Sequence, residues 1–397
     1  MLNKNQDIKI IDLGFHPYAD TFIKKDQLNY SEPVFQLSCY LNKQTGIIRN
    51  SIVTDEKSRY NLYDYSYTSS NSKYSRNYWE EYSRDIKQEL KINDNSKILE
   101  VGSNDGFLLK CFRKYTKKLW GADASKFMCA LAKKNKIKTF NLIFNQKNSK
   151  KIKNKIGKVD VIISNNVLNH SNDVLDFIRG AKNLLNEDGT FIFELPYWYN
   201  LVLHEQFDQI YHEHVNYFTV KSSEFLLKKC GLQIVKIKET EYHGGSIRIY
   251  SKIKRNVKIN SETKKYISRE TKLGLFKEGT YKKIMGNLNK KKVSFLKKII
   301  TYKKKNYKIV GIGAPAKGNT FLNFLKLDSC LIDFITDGSQ FKINKYTPLS
   351  RIPILSDEHL KKIKGKLCVI FLSWNLEKIL KPKLLKYKKK IKFIKFF

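Results

Sequence analysis

Glu100-Val101-Gly102-Ser103-Asn104-Asp105-Gly106 is a string able to do chemistry: a carboxylate followed by glycines spaced so that the backbone can turn tightly and approach a ligand. If a strand feeds this turn and a helix leaves it, the free N–H groups of the helix start face a carboxylate or phosphate. Asp123 lies about twenty residues further on, where the end of a second strand sets a carboxylate against the paired hydroxyls of a ribose. Glu100, Gly102, Ser103, Asn104, Gly106 and Asp123 are therefore the candidate nucleotide-binding residues. A nicotinamide-type dinucleotide site is the competing reading, but the string has the form E-x-G-x-x-x-G rather than G-x-G-x-x-G.

A second concentration is Gln209-Ile210-Tyr211-His212-Glu213-His214, with His204 just before it and His170 beyond an earlier strand. Neutral imidazole suits proton abstraction near pH 7. Histidines at i and i+2 do not share a helix face and no third ligand cluster accompanies them, so a metal is the lesser reading, and acid–base work is favoured over purely structural histidines. His243-Gly244-Gly245-Ser246-Ile247-Arg248 joins a tight turn to an arginine suited to an anionic ligand; an ordinary hairpin turn is the plainer alternative. Gly311-Ile312-Gly313-Ala314-Pro315-Ala316-Lys317-Gly318-Asn319-Thr320 sets a lysine at a helix start, suited to a diphosphate, without the Lys-Ser/Thr pair of a Walker loop. Tyr65-Ser66-Tyr67-Thr68-Ser69-Ser70 is a hydroxyl-rich loop or a plain linker.

Such residues need strand ends to hold them. From residue 97, short apolar runs alternate with amphipathic ones, the pattern of a parallel sheet covered by helices. Strands are predicted at 97–101, 119–122, 138–143, 159–164 and 190–194, with a stop-and-turn at Asn186-Glu187-Asp188-Gly189 before the last. A hairpin of 232–238 and 246–253 is expected at the sheet edge. This makes 81–256 one Rossmann-like α/β domain. Residues 257–306 read as a lysine-rich helical connection. Residues 307–397 read as a second, smaller α/β domain with strands near 308–311, 331–335, 369–372 and 392–396. Residues 1–80 read as a small separate unit of mostly β character.

The chain has 397 residues, 41% apolar and 13% aromatic, enough to bury real cores and too many for a disordered basic tail. Its longest apolar runs fall far short of the ~20 residues of a bilayer span. The N-terminus lacks the apolar stretch of a secretory signal. No membrane span and a cytoplasmic location are expected. Six scattered cysteines fit buried reduced thiols better than disulfides or a zinc knuckle. Lys and Arg exceed Asp and Glu by 76 to 37, a formal charge of +39, which points toward nucleic acid or an acidic surface. The excess is nearly all lysine, spread along the chain among abundant Asn and Ile, as in proteins encoded by AT-rich genomes. A nucleic-acid partner is not expected on that ground.

In chain order, EVGSNDG, the NVLNH segment ending at His170, YHEHVNYF, HGGSIRIY, GIGAPAKGNT and FLSWN at 371–375 resemble the nucleotide-sugar C-methyltransferases that attach branched methyl groups to deoxysugars. The resemblance covers essentially the whole chain, including DLGFHPYADTFI and residues 65–72. It implies a class I methyltransferase domain binding S-adenosylmethionine, flanked by a small N-terminal domain and a C-terminal α/β domain that binds substrate. The implied reaction is methylation of a sugar carbon on a nucleotide-diphosphate keto-deoxysugar, in surface-glycan or sugar biosynthesis. A base removes the proton beside the ketone and the resulting enolate takes the methyl. On this reading His214 is the base, Tyr211 hydrogen-bonds the developing oxyanion, and Glu213 orients a histidine or a sugar hydroxyl. His170 and Tyr67 line the pocket, and His243, Arg248, Lys317 and Asn319 meet the substrate. Sugar O- or N-methylation on the same fold, or RNA methylation served by the lysine excess, are the alternatives. Family members carry two CxxC-type pairs that hold a structural zinc. Here no cysteine precedes Cys39 and Asn42 stands where its partner would be, so zinc is not expected.

Overall fold

The computed structural model of the chain describes residues 7–56, 68–70, 72–254, 260–387 and 391–397. The first sheet begins with β1 (Asp7–His16), β2 (Phe35–Asn42) and β3 (Ile48–Asn50), paired antiparallel in that order. Period-two alternation buries Leu37, Cys39 and Leu41 completely. Asn42 shapes the turn between β2 and β3: its Oδ1 accepts from the Thr45 backbone N–H and hydroxyl, each at 3.0 Å, and its Nδ2 donates to Asp7 at 2.9 Å. The position expected to carry a metal thiolate is thus a turn-bracing amide. Cys39 donates its thiol to Asn50 Oδ1 at 3.6 Å, and burial pushes its pKa up. These residues do not fit a tetrahedral zinc, and among the described residues no three His, Cys, Asp or Glu side chains gather as ligands.

The second sheet holds β4 (Ile98–Val101), β5 (Leu119–Asp123), β6 (Lys138–Asn141), β7 (Val159–Asn165) and β8 (Leu185–Pro196). The chain then leaves for β9 (Asn216–Tyr217), which pairs with β3 and completes the four-stranded first sheet. It returns as β10 (Leu232–Thr240) and β11 (Ser246–Ile253). The seven strands run in the order β10-β11-β8-β7-β4-β5-β6, parallel from β8 to β6, with β11 antiparallel between β8 and β10. The reversal of strand order at β4, with β5 on one side and β7 on the other, is the switch point that puts a ligand at the strands' carboxyl ends. Helix Val174–Leu184 stops just before Asn186-Glu187-Asp188-Gly189, as expected. The four residues fall within the bounds of β8, since β7 pairs on both sides of them, Val159 with Leu185 and Val161 with Thr190. The register advances two residues on β7 against five on β8, so they leave the ladder as a turn-like excursion.

Helix Lys73–Leu90 is fastened to this sheet through an ion pair with no access to solvent. Arg248 on β11 and Glu194 on β8 face each other in register, 1% and 0% exposed, with Arg248 Nε donating to Glu194 Oε2 at 2.7 Å. Tyr78 of the helix donates its hydroxyl to Glu194 and accepts from Arg248 Nη2 at 3.2 Å, while the guanidinium lies 3.8 Å above the Tyr82 ring. Arg248, expected to meet an anionic ligand, is consumed by this internal pairing.

The third sheet is parallel: β12 (Lys308–Ile312), β13 (Phe334–Thr336), β14 (Ile354–Leu355), β15 (Leu367–Phe371) and β16 (Ile391–Ile394), in the order β14-β13-β12-β15-β16. The lysine-rich connection forms helices Ser261–Lys272 and Glu278–Lys304. The longer one buries Tyr281, Ile284, Leu288, Phe295 and Ile299 in a single apolar cluster with Leu37 and Leu41 of the first sheet and Ile309 and Ile370 of the third. The first and third sheets therefore share a core. No helix among the described residues is long and apolar enough to cross a membrane.

Removing one partner of a buried ion pair strands the other charge. Arg248→Met should cost about 3–5 kcal/mol in denaturant unfolding, and Arg248→Met combined with Glu194→Leu should recover most of it. A single variant as stable as the parent would show that the pair does not fasten the helix.

Candidate functional site

β4 delivers Glu100 and Val101 into the glycine turn. Gly102 has φ +71° and donates to Ala122 O at 2.7 Å; a Cβ there would stand 2.1 Å from Val167 Cγ2, so only glycine fits. Asp123, at the end of β5, accepts from the Asn104 N–H through Oδ2 and from the Ser125 N–H through Oδ1, both at 2.9 Å. The carboxylate expected to meet a ribose therefore also ties the turn to the strand end. Burial, then the charges of Asp105 and Asp123, push the Glu100 carboxyl well above its usual range. Glu100 Oε2 and Ser103 Oγ are buried without a partner among the described residues. An unpartnered buried polar atom costs about 1–3 kcal/mol; Ser103 Oγ faces Gly121 of β5, where a Cβ would stand 2.3 Å away. Gly106, φ +74°, opens helix Phe107–Phe112.

The hydroxyl-rich loop is more than a linker at its described end. Ser69 donates its N–H to Asn104 Oδ1 at 2.9 Å and its hydroxyl to Asp105 Oδ1 at 2.5 Å; Ser70 donates its hydroxyl to the other Asp105 oxygen. Tyr67 lies outside the described residues.

Beyond β8 the chain turns irregularly through residues 207–214, and Tyr211 and His214 meet there. Gln209 O can only accept, so His214 Nδ1, 2.9 Å away, carries the proton. Nε2 is left as an acceptor for the Tyr211 hydroxyl at 2.6 Å, with the rings 3.9 Å apart. Burial lowers the His214 pKa to about 3, so the imidazole is neutral. Tyr211 is half-buried and His214 buried, which makes the phenol the outer member of the pair. His170 stands edge-on to His214 at 4.8 Å. Glu213 points elsewhere: its oxygens accept from the Ala19 and Asp20 N–H groups at 3.2 and 3.0 Å, and burial raises its pKa to about 7. Contrary to expectation, it holds the N-terminal segment rather than orienting a histidine. His212 is likewise structural, bonded to Phe35 O at 3.2 Å and edge-on to Tyr18 and Phe35.

The third sheet reaches this loop from helix Ala316–Leu325 and from the segment after β15. Lys317 Nζ donates to Asn375 Oδ1 at 2.7 Å, lies 3.9 Å from Asp208 Oδ2 and 4.3 Å above the Trp374 ring. Trp374 Nε1 donates to Asp208 Oδ2 at 2.6 Å. Trp374 also packs on Gly244, where a Cβ would stand 2.6 Å from the indole. Gln209 Nε2 donates to His243 O at 3.0 Å, and burial, then Lys317 and His214, lower the His243 pKa to about 3. Asn319 is spent on Ala19 O at 2.5 Å. Of the four residues expected at a substrate, His243 and Lys317 border the Tyr211–His214 loop, while Arg248 and Asn319 hold the fold.

Several residues of the site escaped sequence reasoning. Asp208 and Asn50 carry no local signal, and Trp374 and Asn375 are visible only within the FLSWN string. Asn165 and Asn169 stand at and just beyond the carboxyl end of β7; both ends of both amides lack a partner among the described residues, although Asn169 is 2% exposed.

A family model described as a methyltransferase domain matches residues 74–237, and one described as a C-methyltransferase C-terminal domain matches 241–396. The C-methyltransferase NovU of Streptomyces niveus is 26% identical over 272 residues, 68% of this chain and 65% of its own length. The match thus spans just under two thirds of that relative. An S-adenosylmethionine-dependent methyltransferase of Clostridium acetobutylicum is 18% identical with a TM-score of 0.35, covering 46% of this chain and 93% of its own. One from Anabaena variabilis is 16% identical with a TM-score of 0.37, covering 46% and 86%. The strand order and the first family match together make residues 74–237 a Rossmann-like methyltransferase domain within a multi-domain chain.

The buried histidines carry a testable linkage. Burial lowers the His212 pKa from 6.5 to about 4. Between those values the unfolded chain binds a proton that the folded one refuses, so this contribution is full above pH 6.5 and is lost as the pH falls toward 4. His212→Gln removes it. Between these limits the parent's unfolding free energy should rise with pH more steeply than the variant's, by up to about 1.4 kcal/mol per pH unit. Equal slopes in denaturant titrations would mean that the folded state accepts the proton.

Proposed function

We propose that the chain is an S-adenosylmethionine-dependent C-methyltransferase that methylates the carbon beside the ketone of a nucleotide-linked keto-deoxysugar, in a cytoplasmic route to sugars or surface glycans. The observation that carries this reading is the Tyr211–His214 pair: a phenol 2.6 Å from a neutral imidazole whose other nitrogen is fixed by Gln209 O. S-adenosylmethionine, when bound, supplies a methyl group already electrophilic on its sulfonium sulfur. Glu100, Ser103 and Asp123 would hold it: Glu100 and Ser103 keep a buried polar atom without a partner among the described residues, and Asp123 ends β5 where a ribose would lie, its oxygens already accepting from the Asn104 and Ser125 N–H groups. A neutral amine is nucleophilic toward such a methyl as it stands, whereas a hydroxyl or a carbon beside a ketone must lose a proton. A built base therefore fits carbon methylation and disfavours an amine acceptor, and the similarity to NovU and to a C-methyltransferase C-terminal domain favours carbon over oxygen.

The geometry reorders the expected roles. His214 Nε2 is engaged by Tyr211, so the phenol meets the substrate. As its oxygen takes the proton beside the carbonyl, its own proton passes to His214 Nε2. Gln209 O then faces an imidazolium donor it already binds, which steadies the charge. The Tyr211 hydroxyl, expected at the oxyanion, is committed to this transfer. His170, edge-on to His214, and His243, whose carbonyl accepts from Gln209, are polar groups beside the pair that could border the substrate oxygen; Tyr67, proposed for the pocket wall, lies outside the described residues. Lys317, held by Asp208, Asn375 and Trp374, closes the substrate side from the C-terminal domain.

Asp123→Ala should weaken S-adenosylmethionine binding by about 1–3 kcal/mol in calorimetry, the worth of hydrogen bonds to a charged group. Unchanged affinity would remove the ribose assignment. Tyr211→Phe and His214→Gln should each lose turnover by roughly 10²–10⁴-fold while still binding both ligands. A substrate carrying deuterium beside the ketone should lose it on methylation. A methylated product that retains the label would overturn carbon methylation in favour of an oxygen or nitrogen acceptor.

A further inference from the structure

We propose that Asn50, on the first sheet, is a positioning residue that sets the distance between Tyr211 and His214; this rests on the reading of that pair as the proton-abstracting group. Asn50 ends β3 and is 1% exposed. Its Nδ2 spends its two hydrogens on the backbone carbonyls of the pair itself, Tyr211 O at 2.9 Å and His214 O at 2.7 Å. Its Oδ1 accepts from the Tyr217 hydroxyl at 3.2 Å and the Cys39 thiol at 3.6 Å, and its backbone N–H donates to Val215 O at 2.9 Å.

Tyr211 and His214 lie in a turn closed by His214 N–H to Tyr211 O at 3.0 Å, with no helix or strand across them to fix their spacing. The pairing of β3 with β9 ends at Ile48 with Tyr217 and Arg49 with Asn216, while Asn50 still pairs with Cys39 of β2. Beyond that point the Asn50 N–H reaches Val215 O and its amide reaches the Tyr211 and His214 carbonyls, which carries the sheet's bonding into the turn. Its orientation is itself forced, because Tyr217 and Cys39 offer donors that only the amide oxygen can accept. Aspartate in this place would be the same size but would set an acceptor against two carbonyl oxygens. Serine would keep one donor on a shorter arm. Neither can hold both carbonyls at once, and the phenol–imidazole distance is the quantity that proton transfer depends on.

The test compares parent, Asn50→Asp and Asn50→Ser on a panel of nucleoside-diphosphate 4-keto-deoxysugars in heavy water, scoring deuterium uptake beside the ketone, kcat, KM, the pH profile of kcat, and S-adenosylmethionine affinity by calorimetry. In Asn50→Asp, kcat and exchange should fall together by roughly ten- to a hundredfold, with a displaced pH profile, while KM and cofactor affinity move less than about threefold. Asn50→Ser should recover part of the loss. Parental kcat and pH profile in Asn50→Asp would overturn the assignment, as would a parallel fall of kcat, substrate binding and cofactor binding, which marks a general lesion of the fold. If Asn50→Asp is insoluble, Tyr217→Phe frees one side of the amide and should lower kcat about threefold at constant KM; unchanged kcat in that variant overturns the assignment. A parent that neither exchanges nor methylates any member of the panel overturns the carbon-methylation reading itself. Exchange by the parent that is matched by Asn50→Asp overturns the role of Asn50 alone.

Discussion

An irregular stretch of chain buried among three sheets must find a partner for every backbone N–H and C=O, and residues 207–214 meet that constraint by drawing on every part of the molecule. Ile210 O accepts from Thr320 of the third sheet's helix at 3.0 Å. Tyr211 O and His214 O accept from Asn50 of the first sheet. Gln209 O accepts from His214, and Glu213 accepts from the N–H groups of residues 19 and 20. Asp208 is held by Trp374 and Lys317. Pull any one unit away and buried polar groups of this loop are left bare, at about 1–3 kcal/mol each. The Tyr211–His214 geometry is thus a property of the assembled chain.

The same constraint shapes the first sheet. A few short strands on a turn bury too little to stand alone. Other parts of the chain cover them. β9 arrives from beyond the second sheet to extend the pairing, helix Glu278–Lys304 lays Tyr281, Ile284 and Leu288 in the same apolar cluster as Leu37 and Leu41, and Asn42 braces the turn. Cys39 is a core thiol that donates to Asn50. The packing of this sheet reaches, through that bond, the amide under Tyr211 and His214.

What could be read from the sequence alone was what is decided locally. The turn at Gly102 announces itself because a positive φ and a close approach leave no alternative to glycine, and strands β4 to β8 because apolar runs alternate with helical periods. Residue type alone misled where a distant partner decides. Arg248 has the chemistry of an anion site, yet its carboxylate lies 54 positions back in the chain and directly across a strand. Glu213 sits between two histidines but binds an N-terminal segment 194 positions away. The order within the Tyr211–His214 pair depends on which nitrogen Gln209 O occupies, and no local propensity states that.

The two glycine turns show how much of a site lies beyond its fold. In the second sheet Gly102 donates to Ala122 O at 2.7 Å, and Asp123 accepts from the Asn104 and Ser125 N–H groups. In the third, Gly313 donates to Thr336 O at 2.7 Å, and Asp337 accepts from the Ala314 and Ser339 N–H groups at 2.6 and 2.8 Å. Both turns answer one requirement, that a carboxylate at the next strand end must hold the loop in place. They part in what they leave open. The first keeps a carboxyl oxygen of Glu100 and the Ser103 hydroxyl buried and unpartnered. At the second, the cation of the helix start is already taken by Asn375 and Asp208, and the Thr336 hydroxyl is the buried group left without a partner. Similar turns are thus finished differently: Glu100 and Ser103 keep buried polar atoms unpartnered at the first, whereas at the second Lys317 is bound by Asn375 and set near Asp208, and the turn borders the Tyr211–His214 loop.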